Sequence, residues 1–187
     1  NNKFKINKVD KQFIENLKFR DILLNATILK KLNSKNQILI DQKSFRKQLL
    51  NIDFLNLNLV NGILEFSNKN FISGGTTNCA GESFITDEFP RLIFNCTFSL
   101  IDKNKFLRTY SIKKKFNKEP IKINIIGSIN LFNNKINFKK ISTDTNYKAS
   151  EEDINFYKET FENILLSEGF FKMLRKEKIK DFLLEII

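Results

Sequence analysis

The stretch Phe54-Leu-Asn-Leu-Asn-Leu-Val-Asn-Gly-Ile-Leu-Glu-Phe-Ser67 decides the fold class. Apolar and polar side chains alternate with a period of two on both sides of Asn61-Gly62, a dipeptide that suits a type I′ hairpin loop because both positions tolerate positive φ. Setting Val60 opposite Ile63 puts Leu59 against Leu64, Leu57 against Phe66 and Asn58 against Glu65. This register collects apolar side chains on one face and polar ones on the other.

The arrangement recurs in Ile129-Asn-Leu-Phe-Asn-Asn-Lys-Ile-Asn-Phe-Lys139, a repeat that marks a recurring structural unit. A turn at Asn133-Asn134 would oppose Leu131 to Ile136, Ile129 to Phe138 and Asn130 to Asn137. The same parity runs back through Ile125, Ile123 and Ile121. Between the copies Leu92, Phe94, Cys96, Phe98 and Leu100 alternate with polar or small residues, and Asp102 to Lys105 turn the chain into Phe106 to Ile112. Phe19 to Leu29 is a further alternating candidate, a short helix is expected around Ser44 to Leu50, and Gly74-Gly75-Thr76-Thr77 and Pro120 read as loop punctuation. One-sided strands of this kind belong to an antiparallel meander with one solvated face and exclude a parallel doubly wound sheet.

The pattern changes near Ala149. Ser150 is placed to cap a helix, Glu151, Glu152 and Asp153 put negative charge in its first turn, and Asp153 stands at the capping-box position. Ile154, Tyr157, Phe161, Ile164 and Leu165 then share a stripe. After Gly169 a second amphipathic helix is expected over about Phe171 to Ile187, with Leu174, Ile179, Phe182, Leu183 and Ile186 on one side. The fold expected is mainly β with C-terminal helices (α+β): residues 1–148 form an antiparallel β-meander, curved into a one-sided sheet or groove, and 149–187 form helices packed on or beside it as one domain.

Composition limits the chemistry. The chain has 187 residues, 20 Phe and no His, which removes Ser-His-Asp and Cys-His catalysis and His-ligated metals. The net charge is +11, but it comes mostly from Lys in a chain biased toward Lys, Asn and Ile. The arginines that phosphate readers favour are five and scattered, Arg20, Arg46, Arg91, Arg108 and Arg175, so nucleic acid is not an expected partner. Cys79 and Cys96 suit either one disulfide or two semi-buried thiols. Asp87 with Glu88, or Glu151 with Glu152 and Asp153, are explained by solvation and capping, so no metal, cofactor or catalytic residue is assigned. Lys113-Lys114-Lys115 reads as a solvated strand end. No apolar run reaches the roughly 20 residues of a membrane-spanning helix.

Leu59-Val-Asn-Gly-Ile-Leu-Glu-Phe66, Asn95-Cys-Thr-Phe-Ser-Leu-Ile-Asp102, Pro120-Ile-Lys-Ile-Asn-Ile-Ile-Gly-Ser-Ile-Asn-Leu131 and Tyr147-Lys-Ala-Ser-Glu-Glu-Asp153 together resemble the C-terminal region of an AsmA-like bacterial envelope protein, from about Asn51 onward. The resemblance implies a periplasmic protein tethered to the inner membrane by an N-terminal anchor that this chain does not include. It also implies a curved sheet whose apolar face carries phospholipid toward the outer membrane, with no catalytic residues to transfer. On that reading Leu57, Leu59, Leu64, Phe66, Phe94, Phe98, Ile123, Ile125, Ile129, Leu131, Ile136 and Phe138 form a continuous lipid-binding face. Lys172, Arg175, Lys176, Lys178 and Lys180 on the last helix contact a membrane surface. The alternative is a structural or protein-interaction β module whose edges pair with neighbouring β repeats; a basic nucleic-acid-binding domain is the lesser alternative.

Overall fold

A computed structural model describes residues 2–6, 31–40, 51–84, 89–169, 172–173 and 175–187; the expected elements at 19–29 and 44–50 lie outside them, as do Asp87, Glu88 and Leu174. Among the described residues eight strands form one open sheet in chain order: β1 (Asn2–Ile6), β2 (Ser34–Ile40), β3 (Asn51–Val60), β4 (Ile63–Ile72), β5 (Gly75–Phe84), β6 (Arg91–Leu100), β7 (Ile121–Asn130) and β8 (Ile136–Thr143). From β2 to β8 every pairing is antiparallel. The expectation of a wholly antiparallel meander is corrected at one edge, where β1 joins β2 in parallel and makes the sheet mixed.

The Asn61-Gly62 hairpin has the register read from the sequence, Val60 opposite Ile63 through Leu57 opposite Phe66. Asn61 and Gly62 both take positive φ, 51° and 82°, and the Asn61 N–H donates to Asn33 Oδ1 at 3.0 Å. The second hairpin is shifted by two residues: Ile129 opposes Ile136 and Gly127 opposes Phe138. Asn130 causes the shift, because its Oδ1 accepts from the N–H groups of Phe132 and Asn133 and its own N–H donates to Lys135 O. The loop therefore takes in Leu131 to Lys135. A shift of two keeps every side chain on its face.

The turn expected at 102–105 is instead the start of α1 (Lys103–Thr109). Asp102 caps it, accepting from the Lys105 N–H at 2.7 Å. The Gly74-Gly75-Thr76-Thr77 loop shrinks to Ser73-Gly74, with Gly75 to Thr77 inside β5.

The second helix, α2 (Glu151–Thr160), has its capping box complete: Ser150 Oγ accepts from the Asp153 N–H and Asp153 Oδ2 from the Ser150 N–H. It runs into a π-helical turn, Phe161–Leu165. Helix α3 spans Lys176–Ile186 rather than starting near Phe171, since Gly169 takes φ 99° and Arg175 is extended as its N-cap.

Two clusters attach the helices. Ile154, Tyr157, Phe161, Leu166 and Met173 pack on Phe94, Ile125, Ile129, Ile136, Phe138 and Ile141 of β6–β8. Leu107, Tyr110 and Ile112 around α1 pack against Ile179, Leu183 and Ile187 of the α3 segment.

Candidate functional site: the apolar face of the sheet

The pairing assigns each strand residue to a face. One transverse row reads Leu59, Leu64, Ser83, Leu92, Ile129, Ile136, and the next reads Leu57, Phe66, Gly81, Phe94, Gly127, Phe138. A third holds Leu55, Asn68, Cys79, Cys96, Ile125 and Ile141, and a fourth includes Asn70, Thr77, Phe98 and Ile123. Across all eight strands no paired position on this face carries a charged residue. Lys3, Lys35, Glu65, Glu82, Arg91, Lys122 and Lys140 all occupy the opposite one. There the side chains bond across strands, Gln37 Nε2 to Asn56 Oδ1, Asn56 Nδ2 to Ser67 Oγ, and Thr97 Oγ1 to Asn124 Oδ1.

Eleven of the twelve residues assigned to the apolar face from the sequence stand in these rows. The twelfth, Leu131, follows β7: its N–H donates to Pro90 O at 3.0 Å, and its side chain clusters with Leu59, Leu64 and Leu92. In a flat sheet β3 and β7 would be about 19 Å apart. A cluster joining Leu59 to Leu131 therefore requires the sheet to curl, concave on its apolar side.

The face is not continuous. Strand β5 contributes only Gly75, Thr77, Cys79, Gly81 and Ser83; the Phe66 ring of β4 leans over Gly81, and the Phe94 ring of β6 leans over Gly127 of β7. A Cβ at Gly81 would stand 2.7 Å from the Phe66 ring and 2.0 Å from Ile93 O, and one at Gly127 would stand 2.9 Å from the Phe94 ring and 2.6 Å from Asn137 O. Phe66-Gly81-Phe94-Gly127-Phe138 thus alternate ring and glycine across five strands. The signal in the sequence was glycine inside two otherwise strand-like runs, which marks close approach of another group. Asn68 Oδ1, Asn70 Oδ1 and Ser83 Oγ are buried on this face without a hydrogen-bond partner, although Asn70 Nδ2 donates to Thr77 Oγ1.

Cys79 and Cys96, directly opposed, form a disulfide with 4.1 Å between their Cα atoms, which resolves the alternatives that their spacing left open.

Coverage divides the face. Ile129, Ile136 and Phe138 are buried under the C-terminal helices. Leu57, Phe66, Phe98 and Ile123 are only half-buried, and Phe4, which shares their face on edge strand β1, is 50% exposed. Among the described residues two concavities, of about 590 and 470 Å³, lie at one end of the sheet, the first lined by Asn133, Asn134, Lys135, Glu162, Asn163 and Leu166 to Gly169, the second by Asn2, Asn33, Ser34, Lys35, Leu59, Val60 and Asn61.

Three of the five cations assigned to membrane contact are engaged within the protein. Lys172, Arg175 and Lys178 converge on Glu168 at 3.6, 3.1 and 3.1 Å, and Lys178 Nζ also donates to Ile164 O and Ser167 Oγ. The Lys178 hydrogen bond, before the other cations, holds the Glu168 carboxyl below its usual range. Lys176 is exposed and Lys180 half-buried.

Among the described residues no three His, Cys, Asp or Glu side chains group to hold a metal, and no helix is long and apolar enough to cross a membrane. No family model, no curated protein and no solved structure matches the chain.

Proposed function

We propose that the uncharged face of this sheet binds lipid acyl chains and that the protein is a non-enzymatic, AsmA-like segment handling phospholipid in the bacterial envelope. The observation that carries this is a face eight strands wide without a charged residue at any paired position. Toward β1–β4 no described helix packs on it. An acyl chain laid along Phe4, Ile38, Leu57 and Phe66 gains about 0.8 kcal/mol per methylene removed from water and needs no directional hydrogen bond. The cross-strand disulfide agrees with residence in an oxidising compartment such as the periplasm.

Native mass spectrometry of the purified chain tests the reading. Phospholipid should accompany the protein, and Leu57→Asn with Phe66→Asn should abolish its retention while the chain stays folded. A lipid-free chain, or equal retention by that variant, overturns it. The helices covering part of β6–β8 favour the second reading, a protein-interaction module, which a lipid-free chain pairing through its β1 edge would establish.

A further inference from the structure

The segment from Ile101 to Pro120 carries a surface that the sheet does not explain. Seven basic residues stand there against two acidic ones, Asp102 and Glu119, a net +5 and close to half of the chain's +11. Residues 113–120 are all exposed. Two large apolar side chains stand among the charges: Ile101 is 72% exposed and Phe116 36%.

The segment is held in place. Asn104 Nδ2 donates to Phe116 O at 2.9 Å, the Phe116 N–H donates back to Asn104 Oδ1 at 2.8 Å, and Lys103 Nζ donates to Asn117 Oδ1. Upstream, Ile112 is buried in the cluster that joins α1 to α3, and downstream Pro120 leads directly into β7. Lys114 Nζ stands 5.6 Å from the centre of the Phe116 ring, and exposed Lys113, Lys115 and Lys118 flank it in sequence, so Phe116 and its lysines are held on a preformed platform that Asn104 ties to the α1 end carrying Ile101.

Solvation alone accounts for a run of lysines but gives no role to Ile101, the most exposed large apolar side chain among the described residues. Lysines interleaved with exposed apolar side chains suit a membrane interface, where the cations meet anionic headgroups and the apolar groups enter the acyl boundary. Nucleic acid would use the cations and leave Ile101 without a role, and only Arg108 offers the fork that reads phosphate. We infer that this platform docks the protein on an anionic phospholipid bilayer. The inference rests on the platform residues and does not depend on acyl-chain binding by the sheet.

Co-sedimentation of the full chain with mixed phosphatidylcholine and phosphatidylglycerol vesicles, against phosphatidylcholine alone, tests it. The chain should partition onto the anionic vesicles and much less onto the neutral ones. Lys113→Gln with Lys115→Gln and Lys118→Gln should lower partitioning about a hundredfold, from about fivefold per lysine near an anionic surface. Ile101→Ser should lower it about tenfold. These side chains are solvent-exposed, so circular dichroism should show both variants folded. Leu57→Asn with Phe66→Asn should leave partitioning unchanged, which separates failure of the platform from failure of the lipid-binding face.

Partitioning that ignores lipid charge, that survives both platform variants, or that falls further in Lys176→Gln with Lys180→Gln overturns the inference. So does an oligonucleotide bound with the same lysine dependence and no response to Ile101→Ser, which would assign the surface to nucleic acid.

Discussion

On β6–β8 the apolar face meets α2 and the residues after it; on β1–β4 it meets none of the described helices. The strands read alike in sequence, alternating apolar and polar residues, yet one half is packed under described helices and the other holds the half-buried Leu57 and Phe66 beside the buried Leu59. Alternation reports which side of a sheet a residue is on, and coverage depends on where the rest of the chain goes. The difference separates residues packed under described helices from residues that are only half-buried.

The largest effect is expected where coverage is complete. Ile136 is 2% exposed beneath the helices, so Ile136→Ala should cost about 4 kcal/mol through lost transfer energy and a residual cavity. Leu57→Ala, on a half-buried site, should cost about 1 kcal/mol, because water already reaches part of the side chain. Urea unfolding measures both. Equal losses would mean that the two halves are equally covered.

The disulfide lies where the two halves meet, joining β5 to β6 across a separation of 17 residues. Closing a loop of that length constrains the unfolded chain by about 3 kcal/mol. Cys79→Ser with Cys96→Ser should lose about that much, and reduction of the parent chain should reproduce it. Reduction that leaves the unfolding midpoint unchanged would show that the bridge does not hold the halves together.

Adding one methyl at either glycine probes the same comparison more gently. Gly81→Ala and Gly127→Ala both place a Cβ under 3 Å from a backbone oxygen and from a phenylalanine ring, an overpacking expected to cost about 2 kcal/mol. Phe66, half-buried, has room to swing clear of a methyl on β5; Phe94 belongs to the cluster under the helices and has less room to avoid one on β7. The backbone decides between them: the Cβ at Gly81 meets Ile93 O at 2.0 Å against 2.6 Å to Asn137 O at Gly127, a clash no rotamer relieves, so Gly81→Ala should be the more destabilising of the two in thermal unfolding.

Period-two alternation and the Asn61-Gly62 turn were enough to read the one-sided sheet, the register of the first hairpin and eleven of the twelve apolar-face residues on it. The capping box at Ser150 and Asp153 was legible for a similar reason, since each signal acts over a few residues. What escaped depended on particular side-chain bonds within a loop or on partners distant in sequence. Asn130 redirected the second hairpin by bonding the loop's own N–H groups, and β1 paired in parallel with a strand 34 residues away. Gly81 and Gly127 take their meaning only from the phenylalanines of neighbouring strands set over them. The basic residues of the last helix read as a membrane-contact face because their spacing alone did not show that Glu168, four to ten residues upstream, would gather Lys172, Arg175 and Lys178.

The smallest expected effect concerns acid and falls on the covered half alone. Asp153 is held below the ordinary Asp value of about 3.9 first by the Ser150 backbone N–H and then by the Tyr147 hydroxyl. A carboxyl whose folded pKa is depressed binds its proton more readily when unfolded. Its contribution is therefore fully present above about pH 4 and is lost as pH falls through the lower folded value. Glu168, lowered mainly by Lys178, follows the same sign, and both groups serve the C-terminal helices. Acidification should therefore loosen α2 before it opens the sheet, seen as falling helical circular dichroism while amide exchange in β3–β5 stays slow. Ser150→Ala should cost about 1 kcal/mol at neutral pH as a lost cap and should flatten this acid response, because it removes the hydroxyl that completes the capping box and weakens the turn that keeps Asp153 ionised. Simultaneous loss of helix and sheet signals in acid would mean that the cover and the sheet unfold as one unit, and the distinction between the two halves would then be one of exposure rather than of stability.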